Sequence, residues 1–429
     1  MTKTCTRAED GRGRSWKLRA RRPKFAALGL GVLAVTVVVS ACSSSASPST
    51  GSGGGSNSSG STGNEYVIGA ELPLSGSVAV LGQDFTAGMN AYVDAINAAG
   101  GVNGHKIKVV ELDDANTPTQ GVEAVNRLLN QYKVTILAGG TNSDVAVAYA
   151  PLAAKAKTAA LLNVPTRQLV EPPLNPYLFG VGGSVTEDEA PLDMIFAKQV
   201  LGSVSKPKVA ILYHVSASAQ NWANEIKSAV TQLGWDIVTT QSYQPGATDL
   251  SAQAAAIASA KPTIVLASPD AAIGLFLKAV LSDGYSGPIV STESGGIPSE
   301  LTSTKYPNFY VGSELAFTND SAAGVKQYVA RVNAVHGDLG GLTTPWGYLQ
   351  ALVATAAFKA CGWPCAPSKI SSILANMSSI ESDGLVVANF GFTATNHEAQ
   401  NGEILYKWNA QTNVFDKVGS GTLVTAPAS

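Results

Sequence analysis

The chain has 429 residues, 45% of them hydrophobic, with 29 Lys+Arg against 31 Asp+Glu and a net charge of −2. That content is ordinary for a globular protein, and the length is enough for two lobes at ~100–200 residues per domain. There is no basic excess, which excludes nucleic acid or anionic lipid as partners held by a general electrostatic field.

The first forty-odd residues are unlike the rest. A basic segment leads into the apolar run Phe25–Ala41, which ends in Val39-Ser40-Ala41-Cys42 and a string of serines and glycines. This order fits a bacterial lipoprotein signal. The small residues before Cys42 suit a peptidase that needs a narrow side chain at the cut, and the Cys becomes the first mature residue and carries lipid. The alternative is a membrane-spanning helix with an incidental Cys, but the run is short for a span and Gly29 and Gly31 weaken it as a helix. Arg21-Arg22 raises twin-arginine export, which Pro23 and Lys24 fit poorly. A signal peptide is expected over 1–41, with the mature protein anchored by lipid on Cys42 to the extracytoplasmic face of the cell membrane. The leader takes 9 of the 29 basic and 2 of the 31 acidic residues, so the mature chain keeps 20 and 29, a balance of −9.

Residues 42–64 are almost wholly Ser, Gly, Thr, Ala, Pro and Asn, a composition that cannot bury a core and predicts a flexible tether. Strands and helices then alternate. Tyr66–Ala70 reads as a buried strand, Leu72–Gly76 as a loop, and Phe85, Met89, Tyr92, Val93 and Ile96 mark one helical face that Gly100-Gly101 stops. Ile107–Leu112 is a strand, and Val122, Val125, Leu128 and Leu129 mark a helix. Val134–Ala138 is a strand before Gly139-Gly140-Thr141-Asn142-Ser143 and a helix from Asp144, and Ala159–Leu162 is a further strand. A second series runs Val209–Tyr213, helix from Trp222, Asp236–Thr239, helix from Asp249, Ile264–Ala267, helix from Asp270, and Pro288–Ser291. Two such series predict an α/β fold with parallel sheets in two Rossmann-like lobes. The remainder reads as mostly helical up to Met377, with short strands near Val386, Phe392 and Ile404–Trp408.

Cys5 leaves with the leader, and Cys361 and Cys365 remain in Cys361-Gly-Trp-Pro-Cys365. An oxidising compartment predicts a local disulfide between them; two free thiols are the alternative, and a zinc site lacks two further ligands. No nucleophile turn, phosphate loop or paired histidine argues for catalysis, and Gly29-Leu30-Gly31-Val32-Leu33-Ala34, which resembles a dinucleotide fingerprint, lies inside the leader. Asp113-Asp114 reads as a strand end that caps the next turn more readily than as a metal pair. No cofactor and no metal is called for. The loop Gly139–Ser143 favours binding, because glycines admit a ligand to the backbone and hydroxyls before a helix offer donors to a carboxylate, although Ser and Thr there also serve as plain caps.

Four stretches taken in order carry a resemblance: Ile68-Gly-Ala-Glu-Leu-Pro-Leu-Ser-Gly76, Gly82-Gln-Asp-Phe-Thr-Ala-Gly88, Ile96-Asn-Ala-Ala-Gly-Gly-Val-Asn-Gly104 and Glu111-Leu-Asp-Asp-Ala-Asn116. They resemble the type I periplasmic binding proteins, in the Leu/Ile/Val-binding branch that includes amide and urea binders. The resemblance covers residues 65 to about 420 and implies two lobes joined by a three-segment hinge: 65–184 plus 316–398, and 185–315 plus 399–422. It implies a ligand trapped between closing lobes, no bond chemistry, and an ABC importer permease as partner. By the same resemblance a ligand carboxylate falls to Thr141, Asn142 and Ser143 and to Asn163–Thr166, where Asn163-Val-Pro-Thr166 departs from the usual Pro-x-x-Thr. Trp222 falls where an aromatic covers the ligand, Glu293 where an acid meets its ammonium, and Trp346 near another pocket position. Ser75 belongs to the first loop. Leu81 and Asp270 stand where the family has tyrosines, changes that bear on which ligand is bound and not on its class; the ligand expected is a small amino acid or amide-like compound. A ligand sensor of the same fold and a secreted hydrolase are the competing readings, the second opposed by the missing nucleophile motif.

Overall fold

The structure, a computed structural model, describes residues 64–183, 186–400 and 402–425. The leader, Cys42 and all but the last residue of the expected tether lie outside the described residues.

The first lobe begins with β1 (Glu65–Leu72), α1 (Ala79–Ala98), β2 (Lys106–Asp113), α2 (Pro118–Asn130), β3 (Ile136–Gly139) and α3 (Ser143–Ala156). It continues with β4 (Ala160–Leu162), a short α4 (Arg167–Val170) and β5 (Leu178–Gly180). Its sheet has the order β2-β1-β3-β4-β5, and every pairing is parallel. β1 is buried from Tyr66 to Leu72, as a central parallel strand covered on both faces must be. The start of α2 is set locally: Thr117 caps it by accepting from the Gln120 N–H, and Pro118 takes the first helical position.

The second lobe runs α5 (Thr186–Leu201), β6 (Lys208–His214), α6 (Ala217–Gln232), β7 (Asp236–Tyr243), α7 (Ser251–Ala260), β8 (Ile264–Ser268), α8 (Ile273–Ser282) and β9 (Ile289–Ser291). A single 3-10 turn (Glu293–Gly295), α9 (Pro298–Leu301) and β10 (Phe309–Ser313) follow. The chain then returns to the first lobe with α10 (Ala323–Ala334), α11 (Thr344–Cys361) and α12 (Pro367–Leu374), whose apolar faces join the core around Tyr66, Phe85 and Phe179. It ends in the second lobe with β11 (Gly402–Asn409), β12 (Val414–Lys417) and β13 (Val424–Thr425). Three segments therefore pass between the lobes: after β5, after β10 and before β11. They are tied to each other and to the first lobe by isolated bridges, Gly180 with Glu398 and Leu315 with Val386.

The α/β architecture in two lobes agrees with the sequence reading, with differences in several elements: β10 is a strand within the stretch read as mostly helical, and α7 starts at Ser251 and not at Asp249. The second sheet, β12-β11-β10-β9-β8-β6-β7, is mixed rather than parallel, because β11 pairs antiparallel with β10, β12 and β13. β11 arrives by a return from the other lobe and not through a strand–helix–strand crossover, so the rule that makes such units parallel does not govern it. α6 starts at Ala217 and not at Trp222, because Ser216 accepts from the Ala219 N–H at 3.2 Å and caps the helix there. α8 starts at Ile273 and not at Asp270, whose carboxylate is engaged by Tyr243 and the Ala272 N–H. Val386 and the residues beside Phe392 make only isolated bridges. The structure joins Cys361 to Cys365 with a Cα separation of 5.7 Å, beside a stack of Tyr66 on Phe358 and His105 on Trp363.

Candidate functional site

The carboxyl ends of the two sheets face each other across a cleft holding about 960 Å³ of empty space, open solvent included. Loops at strand ends meet there because each strand hands over to a helix whose first turn points free N–H groups outward.

One end of the cleft is rich in donors. The residues after β3 adopt left-handed backbone, φ +111° at Gly139 and +63° at Gly140, a conformation that glycine reaches without strain. The Gly140 N–H donates to Glu71 Oε1 at 2.6 Å and the Gly139 N–H to Gln350 Oε1 at 2.9 Å, so the loop is fastened from beneath. Glu71 is fully buried against Asp114, and burial first and that neighbour second raise its pKa well above the usual carboxylate range. Asn142 caps α3 by accepting from the Asp144 N–H at 2.9 Å and donates to Asn116 Oδ1 at 2.8 Å. Ser143 begins α3 and touches the start of α6: its Oγ lies 3.4 Å from Ser218 Oγ and accepts from the Ser218 N–H at 3.4 Å. Two helix N-termini, one from each lobe, thus converge with their partial positive charge on one spot, a ready receptor for an anion. Thr141 Oγ1 and Asn163 Oδ1 are buried on this wall and make no hydrogen bond among the described residues. Buried polar atoms of that kind mark where a ligand completes the network.

Acidic groups line the same cleft. Glu293, in the 3-10 turn, is 9% exposed and lies beside the Trp346 indole from α11 of the opposite lobe. Burial, then the nearby Glu314, push its pKa well up. Glu189 on α5 is pushed the same way, by burial first and then by Glu314, Asp193, Glu293 and Glu398. Asp270 accepts from Tyr243 Oη at 3.0 Å, the Gly246 N–H at 3.2 Å and the Ala272 N–H at 3.0 Å. His214 shares its Nδ1 with the Ser268 carbonyl at 3.1 Å, and burial lowers its pKa, which leaves it neutral near pH 7. Among the described residues no Lys or Arg lines the cleft.

Of the residues singled out in the sequence, Leu81, Thr141, Asn142, Ser143, Asn163, Asp270, Glu293 and Trp346 come together on this wall. Three do not. Ser75 is exposed beside Asp113. Thr166 is fully buried at the start of α4. Trp222, expected over a ligand, is 0% exposed in the core of the second lobe, with its Nε1–H donating to Asp193 Oδ2 at 2.8 Å. A buried indole needs a partner for its N–H, and Asp193 supplies it away from the cleft. Asp113 and Asp114 act as turn caps, accepting from the Ala115 and Asn116 N–H groups at 2.8 and 2.6 Å. Asn116, Glu189, His214, Ser216 and Ser218 also line the cleft and were not singled out. Only Ser216 carried a local signal, a hydroxyl just before a helix.

The sequence profile of a family described as periplasmic binding protein matches residues 65–413. A Leu/Ile/Val-binding protein homologue of Brucella melitensis is 28% identical over 245 residues, 56% of this chain and 63% of that protein, so the match spans less than two thirds of that relative. An amino acid binding protein of Pseudomonas aeruginosa is 26% identical over 259 residues, 60% of this chain and 68% of that protein. Among solved structures, a branched-chain amino acid transporter substrate-binding protein of Streptococcus pneumoniae in complex with isoleucine superposes with TM-score 0.69 at 21% identity, over 82% of this chain and 100% of the other. A solute-binding protein of R. palustris in complex with 4-hydroxybenzoate gives 0.71 at 19%, over 85% and 98%. At these identities the structural likeness speaks for the fold.

Proposed function

Because the chain belongs to the periplasmic binding protein family, a family of binding proteins and not of enzymes, we propose that it is the extracytoplasmic solute-binding component of an ABC importer, capturing a small amino acid or amide-like ligand between its lobes. One observation supports this reading: donors from two helix N-termini and buried carboxylates line the same cleft. An amino acid presents the matching pair, a carboxylate and an ammonium. The names of the relatives support the same class. A simple aromatic carboxylate, such as the ligand of the R. palustris protein, brings no cationic nitrogen to the buried acids. Capture works by hinge closure, in which the ligand favours the closed form by touching both lobes at once. The protein is held at the membrane by lipid on Cys42, and a permease takes the ligand from it.

A thermal-shift screen over amino acids, amides, urea, polyamines and benzoate tests the assignment, since a ligand of the folded state alone raises the melting temperature. Amino compounds should raise it. A shift with benzoate and none with any amino or amide compound would discard the reading. Anchoring has its own test: Cys42→Ala should release the protein from membranes or leave it unprocessed, and wild-type partitioning into detergent would count against lipidation.

A further inference from the structure

The cleft holds more carboxylate than one ammonium can neutralise. A Cβ built on Gly183 would stand 3.7 Å from Glu314 Oε1, 3.8 Å from Glu189 Oε1 and 3.9 Å from Glu293 Oε2. Three acids from three separate segments thus face one point, and that point is on the cleft wall, since Gly183, Glu189 and Glu293 all line it. The absence of a side chain at Gly183 keeps the space before them open. Glu189 is 6% exposed and makes no hydrogen bond or ion pair among the described residues. The Glu293 side chain makes no ion pair among the described residues and lies beside the neutral indole of Trp346. Asp193, Glu398 and Glu403 lie behind and add negative charge, and the charged groups that act on Glu189 and Glu403 are all acids. Asp193 is tied to Trp222, and no group of acids or histidines among the described residues is arranged to hold a metal ion.

A buried carboxyl either keeps its proton or is met by a cation. An aliphatic amino acid brings one ammonium, enough for Glu293 and not for Glu189. Resting on the amino-ligand reading above, we propose that Glu189 and Glu293 each receive a cationic nitrogen, so that the solute is a compound with two ammonium groups joined by an alkyl chain. A diamino acid would use the donor end of the cleft as well, and an alkyl diamine would not. When the second ammonium enters, the proton held by the Glu189 carboxyl leaves to solvent.

Calorimetry on the mature protein with lysine, putrescine and leucine as probes tests this, run in two buffers of different ionisation enthalpy. Lysine or putrescine should bind at least tenfold more tightly than leucine, about 1.4 kcal/mol, and should release more protons than leucine does. Glu189→Gln, which keeps the shape, should reduce that preference about tenfold. Tighter lysine than putrescine assigns the solute to the diamino acids, and the reverse to the diamines. Leucine binding as well as both diammonium probes, or equal proton release, overturns the proposal while the amino-acid reading stands. Binding of none of the three overturns this proposal, and the thermal-shift screen decides separately on the reading it rests on. The proton count is taken on the wild-type chain and does not depend on the variant folding.

Discussion

Glu293 stands on the cleft wall, on a turn of one lobe beside the Trp346 indole of the other. A carboxylate so placed forms a charge-assisted hydrogen bond with an ammonium worth roughly 1.5–3 kcal/mol. Glu293→Gln should therefore weaken an ammonium-bearing ligand by ~10- to 100-fold in calorimetry, and a neutral amide by less, because Gln still exchanges hydrogen bonds with it. Unchanged affinity in Glu293→Ala would remove this residue from the site. Residues of this kind were legible in the sequence when a loop announced them. Thr141–Ser143 follow two glycines, and Glu293 precedes two more at Gly295-Gly296. Glu189 gave no such sign, since among Glu187, Asp188 and Glu189 it reads as one acid of a solvated helix start. Trp222 misled for the opposite reason. An indole early in a helix reads equally as lid or as core, and the deciding partner, Asp193, lies 29 residues earlier in the sequence.

At the level of elements, α1 and α11 pack backbone to backbone through Gly88 and Gly347. A methyl on Gly88 would press on the Thr344 carbonyl and stand 3.0 Å from the Tyr348 nitrogen, while one on Gly347 would meet the Phe85 carbonyl. Neither helix can yield, because each also buries a long apolar face in the first-lobe core. Gly88→Ala should lower stability by ~1–3 kcal/mol despite the better helix propensity of Ala, since overpacking outweighs a gain of at most ~1 kcal/mol. Denaturant unfolding would show this as a lower midpoint at unchanged slope; a raised midpoint would refute the close packing. α11 also carries Trp346, so a displaced helix should weaken ligand binding too. The alternating elements were readable because buried parallel strands form continuous apolar runs and their helices repeat every 3.6 residues. β5, three residues long, leaves no periodicity to read. The Ile404–Trp408 strand was visible, but its direction was not, because that depends on which lobe the chain has just left.

For the molecule as a whole, the buried acids couple folding to pH. Burial raises the pKa of Asp193 to about 7, against the lowering pull of its hydrogen bond from Trp222. Glu189, Glu293 and Glu403 are raised well above the carboxylate range, chiefly by burial. Such groups are ionised in the unfolded chain above about pH 4 and neutral in the folded one, so folding binds protons. Their contribution is complete below the unfolded value and is lost as pH rises through the folded values. The ligand-free protein should accordingly melt at a higher temperature near pH 5 than near pH 8, and a flat or rising profile over that window would contradict these protonation states. Closure is the other global property. Ser143 meets Ser218, and Ser299 Oγ donates to the Gly340 carbonyl at 3.0 Å, both across the gap between lobes. If ligand drives that approach, small-angle scattering should show a smaller radius of gyration at saturation, and an unchanged radius would mark a rigid molecule. The three passages between lobes have a further consequence for how the chain is made. Tyr66 donates its hydroxyl proton to the carbonyl of Gly362, 296 residues further on, and β10 waits for β11 as its neighbour. A ribosome must therefore finish most of the message before either core can close, and a protein halted midway, or cut into its two sequence halves, contains no piece that is a finished lobe.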